Sequence, residues 1–375
     1  ISQDDIKLGG SSFAQILNKV GNDAPNVKDA GYVKTVFNTI QNLITNEQIV
    51  AGHDVASGGL ITTLLELCFA DVNLGAELDV TALAEKDSVK LLFSENSGIV
   101  IQAKDASIEK VLSEAGVTFF NIGKVTESDT LSIINHAEVY TLTVSRLRDV
   151  WYKTSYLLDQ KQTANNLAEA RYNNYKAQPL TYTFPEHFTG KLPVIDANKP
   201  RPKAAILREK GSNSEREMAN AMYLAGFDVK DVHMTDLISG RETLEDIQFL
   251  GAVGGFSNSD VLGSAKGWAG AIKYNEKANK VINDFFNRED TLSVGICNGC
   301  QLFMELDLIN PEHDVHGKMI HNESKKHESS FTSVAVQKNN SVMLSSLEGS
   351  TLGVWISHGE GKFSLPKTED QYNIV

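Results

Sequence analysis

Short apolar runs alternate with amphipathic stretches along this chain, and the alternation predicts an α/β protein. In the first half, helices are predicted at 33–44, 61–69 and 107–115, and an earlier helix follows Ser11 or Ser12, the expected N-cap. Strands are predicted at 49–54, 89–93, 98–102, 120–125, 131–136 and 139–144. Together these elements indicate one α/β module over residues 1–145.

The pattern changes between the two halves of the chain. Residues 146–175 lack a strand pattern, and the spacing of Val150, Trp151 and Leu158 predicts one long helix. Five of the eight prolines follow, at positions 179, 185, 193, 200 and 202. Because proline interrupts regular helices and sheets, this density predicts an extended linker, and 146–200 is expected to separate two domains.

A second module is predicted over residues 201–375. Strands at 203–208, 228–234, 249–256 and 292–296 alternate with helices at 214–225 and 275–287. This order predicts a parallel, doubly wound sheet whose site lies at the carboxyl ends of its strands. Gly254-Gly255 and Cys297 both fall at such ends, so two distant stretches are expected to converge on one crevice.

The stretch after the last predicted strand has the pattern of a nucleophile elbow, Gly295-Ile-Cys297-Asn-Gly299, with Cys in the position usually held by Ser. An amphipathic stretch at 301–306 predicts the helix that such an elbow requires. The glycines let strand and helix pass closely, and a helix N-terminus stabilises a thiolate and an oxyanion. The alternative is a buried Cys in a glycine-rich turn, and the neighbouring residues weigh against it.

A Cys nucleophile beside a backbone oxyanion hole is suited to acyl transfer. The expected donors are the N–H of Asn298 and, from the second stretch, those of Gly255 and Phe256. A thiolate that attacks a carboxamide releases ammonia and leaves a thioester, and it needs a His base oriented by a carboxylate. His358 and Glu360 form a candidate pair, whereas the alternative makes His358 a polar residue at the end of the strand 354–356.

Asp54 is the candidate polar ligand of the first module. It ends a predicted strand before Gly58-Gly59, where a metal or phosphate ligand is usual. Spacing alone leaves a helix-capping aspartate as an equal alternative.

The net charge and the number of cysteines limit the partners and the cellular compartment that the sequence fits. A net charge of -13 and a pI of about 5.2 argue against binding to nucleic acid or anionic membranes. No apolar stretch reaches the roughly 20 residues that span a bilayer, and the polar start gives no signal peptide. Three cysteines in 375 residues form no disulfide framework and no zinc site, which favours a reducing, cytoplasmic location. The first residue, Ile1, is not Met, which suggests a fragment.

These motifs together resemble the large, single-chain phosphoribosylformylglycinamidine synthases of purine biosynthesis. The resemblance covers nearly the whole chain, and its most specific stretches are Arg201-Pro-Lys-Ala-Ala-Ile-Leu-Arg-Glu, Asn213-Ser-Glu-Arg-Glu-Met, Gly254-Gly-Phe-Ser, Asp260-Val-Leu-Gly, Gly295-Ile-Cys-Asn-Gly-Cys-Gln and Ser357-His-Gly-Glu-Gly. It implies a carboxyl-terminal α/β module like that of aminoimidazole ribonucleotide synthetase, followed by a class I glutamine amidotransferase domain of the doubly wound, flavodoxin-like class.

The resemblance also implies a reaction and its ligands. Formylglycinamide ribonucleotide, ATP and glutamine would be converted into formylglycinamidine ribonucleotide, ADP, phosphate and glutamate, with ammonia passing between two sites. Cys297 would be the glutaminase nucleophile and Asp54 a magnesium ligand. Ala56 would stand where the family has a Ser that contacts ATP.

Two departures from the family accompany the resemblance. The amino-terminal half that carries most nucleotide and substrate residues is expected to be missing, and the family's Pro-His-Pro-Glu dyad is expected beyond Val375. His358 and Glu360 then match a stretch near the glutamine pocket, and the isolated chain is expected to be inactive. The alternatives are an inactive, amidotransferase-like binding or scaffold protein and a Cys peptidase or amidase of the same fold.

Overall fold

The computed structural model describes residues 1–177, 180–192, 194–196 and 198–375. Its contacts divide the chain into two compact units, Ile1–Leu158 and Asp159–Val375. The described residues of the predicted linker, 146–200, fall partly in the first unit and mostly in the second. Pro179 and Pro193, two of the residues behind that expectation, lie outside the described ranges. Within those ranges, no helix combines the length and apolar character that crossing a bilayer requires.

The first unit mixes short helices with two small sheets. Its helices are α1 (Ser12–Ile16), α2 (Ala30–Thr45), α3 (Gly59–Phe69), α4 (Ser88–Phe93), α5 (Ser107–Glu114) and most of α6 (Val144–Gln162). Its strands are β1 (Ile49–Asp54), β2 (Gly75–Asp79), β3 (Ile99–Ala103), β4 (Gly123–Thr126), β5 (Thr130–Asn135) and β6 (Glu138–Thr143). β1 pairs antiparallel with β3, and the mixed sheet has the order β4-β2-β5-β6 with β2 parallel to β5.

The prediction of a strand at 89–93 is wrong, because this apolar run forms helix α4. The Asp87 carboxylate accepts a hydrogen bond from the N–H of Lys90 at 3.1 Å and caps the helix. Leu91 and Leu92 are buried on its inner side. A short apolar run fits a buried helix turn as well as a strand, and here the cap decides.

The second unit contains the remaining elements. Its helices are α7 (Leu167–Asn174), α8 (Glu215–Ala225), α9 (Met234–Ser239), α10 (Lys266–Lys273), α11 (Glu276–Phe286) and α12 (Asn298–Glu305). Its strands are β7 (Lys203–Arg208), β8 (Ser212–Asn213), β9 (Asp228–His233), β10 (Phe249–Ala252), β11 (Gly254–Gly255), β12 (Leu292–Gly295), β13 (Lys318–Ile320), β14 (Glu328–Ala335), β15 (Thr351–His358) and β16 (Lys362–Ser364).

The core of the second unit is a four-stranded parallel sheet with the order β12-β10-β7-β9. Counted along the chain, this is the order 4-3-1-2 of a flavodoxin-like, doubly wound sheet, as the sequence predicted. Helices pack against the sheet, and its two central strands, β7 and β10, are buried; Ile206 and Leu250 are at most 1% exposed. Burying each such aliphatic side chain stabilises the fold by roughly 1.5–3 kcal/mol. The carboxyl ends of β10 and β12 are neighbours, which positions the site described below.

The stretch predicted as one long helix is two helices. α6 ends at Gln162 and α7 begins at Leu167, because Asn165 and Asn166 take left-handed φ angles of 59° and 55°. Further along the chain, Thr183 pairs with Thr351 at the start of β15.

A group of four charged residues within the second unit, here called the helical brace, joins the start of this unit to the residues at β14. Asp159 is only 9% exposed, and Arg171 donates to it at 2.8 Å and to Glu328 of β14 at 2.6 Å. Lys326 also donates to Asp159. Burial opposes ionisation of Asp159, but hydrogen bonding to Lys326 and the charge of Arg171 hold its pKa below the usual value. The brace ties residues 159–171 to the segment that leads into β14.

Candidate functional site

Cys297 lies between β12 and α12, at the carboxyl end of the parallel sheet. Its φ of 54° and ψ of -108° are strained for a residue with a side chain. The residue is exposed, so the thiol is accessible to a ligand. A strained, exposed residue at a strand-to-helix turn is the geometry of a nucleophile elbow.

Two glycines make this turn possible through close backbone contacts. A Cβ at Gly295 would lie 2.6 Å from the carbonyl oxygen of Gly299. A Cβ at Gly299 would lie 2.1 Å from the carbonyl oxygen of Ala252 in β10. Any side chain at either position would therefore push α12 away from the sheet and displace Cys297.

Residues 254–260, here called the oxyanion loop, lie against the nucleophile. A Cβ at Gly254 would be 3.3 Å from the Cβ of Cys297. Gly255 has a φ of 107° and pairs with Ser212. The N–H of Phe256, by contrast, donates to the carbonyl of Gly211 at 3.1 Å. Of the donors expected from sequence, Phe256 is thus engaged elsewhere, and Gly255 and Asn298 remain the candidates.

The side chain of Asn298, which sequence reasoning did not use, connects the elbow to the oxyanion loop. Its Oδ1 accepts from the N–H of Ser257 at 3.3 Å, and its Nδ2 donates to Asp260 at 3.3 Å. The same Nδ2 donates to Gln301 at 3.0 Å, and Gln301 donates to the carbonyl of Glu360 at 2.8 Å. Apart from the bond between Asn298 and Gln301, these bonds join residues 38 to 59 positions apart along the chain, so no local pattern indicates the connection.

The end of β15 also reaches the elbow, but His358 does not pair with Glu360. The Cys297 thiol lies 3.6 Å from the carbonyl oxygen of Ser357. The His358 Nδ1 lies 2.9 Å from Oδ1 of Asn322, whose Nδ2 donates to the His358 carbonyl at 2.8 Å. The Glu360 carboxylate instead accepts from the N–H of Ser264 at 3.3 Å. The candidate His-carboxylate pair is therefore not assembled.

A second histidine that sequence reasoning missed lies beside the same strand end. The His327 Nε2 is 3.0 Å from the Ser357 hydroxyl, and its ring centre is 6.4 Å from that of Phe256. His327 precedes β14 in the chain, and the antiparallel pairing of β14 with β15 brings it here. Only knowledge of that strand register could have identified it.

The three thiols differ in environment. Burial raises the pKa of Cys68, and burial together with the neighbouring Cys297 raises the pKa of Cys300. Cys300 also contacts the Met319 sulfur at 3.8 Å. Because the thiolate is the reactive form, both thiols are expected to be poor nucleophiles near pH 7.

Brief treatment of the folded chain with iodoacetamide at pH 7 is expected to modify Cys297 first, by roughly tenfold over either other thiol. Exposure of Cys297 and the raised pKa values of the other two are the reasons. Mass mapping of the modified peptides measures the preference, and the urea-unfolded chain is the control, in which the three rates should converge. Equal modification of Cys300 in the folded chain would contradict this expectation.

In the first unit, Asp54 lies at the end of β1 with its side chain 76% exposed. The neighbouring His53 contacts Glu66 through Nε2 at 3.1 Å. Helix α3 begins after Gly58, which has a φ of 90° and is itself the N-cap. Asp54 therefore does not cap this helix, and its carboxylate projects from the strand end. Ala56 is exposed in the turn between them.

The glycine turn after Asp54 is filled by the protein itself. A Cβ at Gly59 would lie 2.6 Å from the carbonyl oxygen of Ser94, so this glycine serves packing. The Glu95 carboxylate accepts from the N–H groups of Gly58 and Ser12, at 2.9 and 2.8 Å. Burial opposes ionisation of Glu95, but these two bonds hold its pKa below the usual value. The N–H of Gly58 is thus occupied by a carboxylate of the same unit.

Magnesium requires several oxygen ligands, and this chain brings together few of them. Among the described residues, no group of three His, Cys, Asp or Glu side chains could hold a metal ion. Asp54 contributes one carboxylate. The residues present do not by themselves form a magnesium site.

Two protein-family models match successive parts of the chain. A family model for the C-terminal domain of AIR synthase related proteins matches residues 2–135. A second model, for CobB/CobQ-like glutamine amidotransferase domains, matches residues 201–375. The "Structure of PurLQS from Thermotoga maritima" is 25% identical, with a TM-score of 0.37 over 45% of this chain and 71% of that one.

Known proteins are similar in sequence to this chain over nearly its whole length. A probable chloroplastic/mitochondrial phosphoribosylformylglycinamidine synthase of Arabidopsis thaliana is 39% identical over 96% of this chain and 26% of its own length. The phosphoribosylformylglycinamidine synthase of Homo sapiens is 36% identical over 99% of this chain and 29% of its own length. The chain therefore spans less than a third of these relatives. With an AIR-synthase-related module followed by a glutamine amidotransferase domain, the chain is similar over nearly its whole length to one part of the phosphoribosylformylglycinamidine synthases.

Proposed function

We propose that this chain provides the glutaminase nucleophile, Cys297, of an ATP-dependent carbon-nitrogen ligase. That enzyme would convert formylglycinamide ribonucleotide and glutamine into formylglycinamidine ribonucleotide. The observation that carries the proposal is the strained, exposed Cys297 at the carboxyl end of a doubly wound sheet. The glycine-dependent elbow gives a reason for that strain which a purely structural Cys would not require.

The proposed reaction begins with attack of the Cys297 thiolate on the side-chain carboxamide of glutamine. The carbonyl oxygen becomes an oxyanion, which the N–H groups of Asn298 and Gly255 would stabilise. Collapse of this intermediate breaks the C–N bond, and ammonia leaves after taking up a proton. Water then hydrolyses the thioester, releasing glutamate and restoring the thiol.

Two histidines, His358 and His327, lie near Cys297, but neither is held as the base of a catalytic triad. His358 is engaged by Asn322, and His327 lies beside Ser357. Neither arrangement is the histidine-carboxylate pair that orients a base in a triad. We therefore assign no proton transfer to either residue.

For the first unit we propose a contribution to ATP and substrate binding in an assembled enzyme. Asp54 would supply one magnesium ligand, with the others coming from elsewhere in that enzyme. Ala56 would lie at the ATP position without a hydroxyl to donate. The cytoplasmic location expected from the three thiols is part of this proposal, although the Arabidopsis relative is named for organelles.

Reaction of the chain with the chloroketone analogue of glutamine tests the nucleophile. Alkylation at Cys297, slowed by added glutamine, is expected because the analogue carries the glutamine head group and an electrophilic carbon. Chloroacetone, a chloroketone without the amino-acid group, is the control, and added glutamine should not slow its reaction in the same way. A chain that shows no glutamine-protected labelling of Cys297 would instead fit a non-catalytic binding protein.

Replacement Asp54→Asn in an assembled enzyme is expected to lower ATP-dependent turnover by about tenfold or more. The reason is loss of a charged ligand for a hard cation. Glutamate formation at Cys297, measured in parallel with ADP formation, should change little. Glu127→Gln, which removes another exposed carboxylate of the same unit, is the matched control. Unchanged ADP formation in Asp54→Asn would show that Asp54 binds no catalytic metal.

A further inference from the structure

We infer that the Asn298 carboxamide is a positioning residue that holds the oxyanion loop in its working geometry. The inference rests on the proposed glutaminase function and adds a second role for Asn298. Its backbone N–H is a candidate oxyanion donor, whereas its side chain would set where the other donor, Gly255, lies.

The bonding of Asn298 allows one orientation of its amide. The residue is 0% exposed, so water cannot replace its partners. Oδ1 faces the N–H of Ser257, which can only donate, and Nδ2 faces the Asp260 carboxylate, which accepts when ionised. Rotating the amide by half a turn would oppose donor to donor and oxygen to carboxylate. The side chain is therefore a specific two-ended tether between the elbow and the loop.

The oxyanion loop needs such a tether because its backbone is unfavourable. Gly255 has a φ of 107°, and Asn258, Ser259 and Asp260 have φ values of 51°, 56° and 46°. Consecutive left-handed residues persist only where surrounding contacts hold them. On its outer side the loop is held by Phe256 N–H to Gly211 and by Asn258 N–H to Lys210 at 2.7 Å. On the side of the nucleophile it is held by Asn298.

Asp260 extends this tether into the next helix. Its carboxylate also accepts from the Ser264 hydroxyl at 3.3 Å and from the N–H of Ala265 at 3.4 Å. Ala265 is the buried N-cap of α10. Loss of the Asn298 amide would leave the N–H of Ser257 without its buried acceptor and would remove one donor from Asp260, so the loop would relax away from Cys297.

The test compares two reagents on the full chain carrying Asn298→Leu or Asn298→Asp. The glutamine chloroketone reports on the carbonyl-binding geometry, whereas iodoacetamide reports on the Cys297 thiolate alone. A displacement of about an ångström in a catalytic group costs up to about 10²-fold. We expect the chloroketone rate to fall by about 10- to 10²-fold in both variants, with the iodoacetamide rate within about threefold.

A double replacement distinguishes positioning from general damage. In Asn298→Asp/Asp260→Asn, the amide at 260 can donate to the carboxylate at 298, whose other oxygen still accepts from Ser257; the bond from Ala265 N–H to residue 260 is lost, so recovery is partial. The chloroketone rate is expected to recover by more than about threefold over Asn298→Asp alone. Asn135→Leu in the first unit, where the buried amide donates to Ser88 at 2.9 Å, is the control for loss of a buried amide. It should lower the melting temperature without changing the ratio of the two rates.

The outcomes separate this inference from the proposed function. If the unchanged chain is not labelled by the chloroketone, the proposed function fails and the inference fails with it. If the unchanged chain reacts and both rates fall together in the Asn298 variants, or neither falls, the inference alone is overturned. A selective fall in the chloroketone rate, with recovery in the double variant, supports it.

Discussion

Replacement of Cys297 by Ser is expected to abolish glutamine-dependent amidation in an assembled enzyme, lowering its rate by more than about 10³-fold. The hydroxyl is a far weaker nucleophile near neutral pH, and loss of a covalent nucleophile typically costs several orders of magnitude. Amidation supported by added ammonium should persist, because free ammonia bypasses the step that needs Cys297.

The measurement is product formation with glutamine or ammonium as the nitrogen donor. Cys300→Ser is the matched control, since it removes the half-buried thiol one helical turn away and leaves the elbow intact. It should retain glutamine-dependent activity within a few-fold. An equal loss of both reactions in Cys297→Ser would indicate a structural role for this residue.

Replacement of Gly299 by Ala is expected to disable the elbow through backbone clash. The added methyl group would lie 2.1 Å from the Ala252 carbonyl oxygen, far inside contact distance. Because both the strand and the helix are buried, relief requires movement of α12, and we expect a destabilisation of about 1–3 kcal/mol. The iodoacetamide and chloroketone rates of Cys297 should fall as well.

Thermal unfolding measures this effect, and Gly270→Ala is its control. A Cβ at Gly270, within helix α10, has its nearest neighbour at 3.9 Å. An uncrowded Gly→Ala change in a helix stabilises by about 0.4–1 kcal/mol. A melting temperature for Gly299→Ala equal to that of the unchanged chain would refute the account of the elbow.

The parts of this structure that follow from local chemistry were predictable from the sequence. Strand β7 was predicted at its observed bounds. The glycines at 295 and 299 indicated a tight turn, at positions where any side chain would clash with the backbone. Helix α4 was mistaken for a strand because its decisive feature is a single capping aspartate. Strand β2 was overlooked, since Gly75–Asp79 is short and its residues mix apolar and charged types.

The parts that depend on distant pairing could not be predicted in the same way. The bond from Asn298 to Asp260 joins residues 38 positions apart, and His327 meets Ser357 across 30 positions. Such contacts depend on strand order and register, which hydrophobic periodicity does not encode. The candidate pair of His358 and Glu360, for which the sequence also offered an alternative, is not formed, because Asn322 contacts the imidazole from another loop.

The helical brace has a consequence for separating the amidotransferase domain from the rest of the chain. Sequence similarity to such domains begins at residue 201, but Asp159 and Arg171 lie upstream of it. A domain expressed from residue 201 would leave Lys326 and Glu328 without these partners. The backbone carbonyl of Lys326 accepts a hydrogen bond from the side chain of Asn322, which also donates to the carbonyl of His358. Movement of Lys326 would therefore also loosen the strand end beside Cys297. Transplanting this domain between relatives should therefore carry the preceding helices with it.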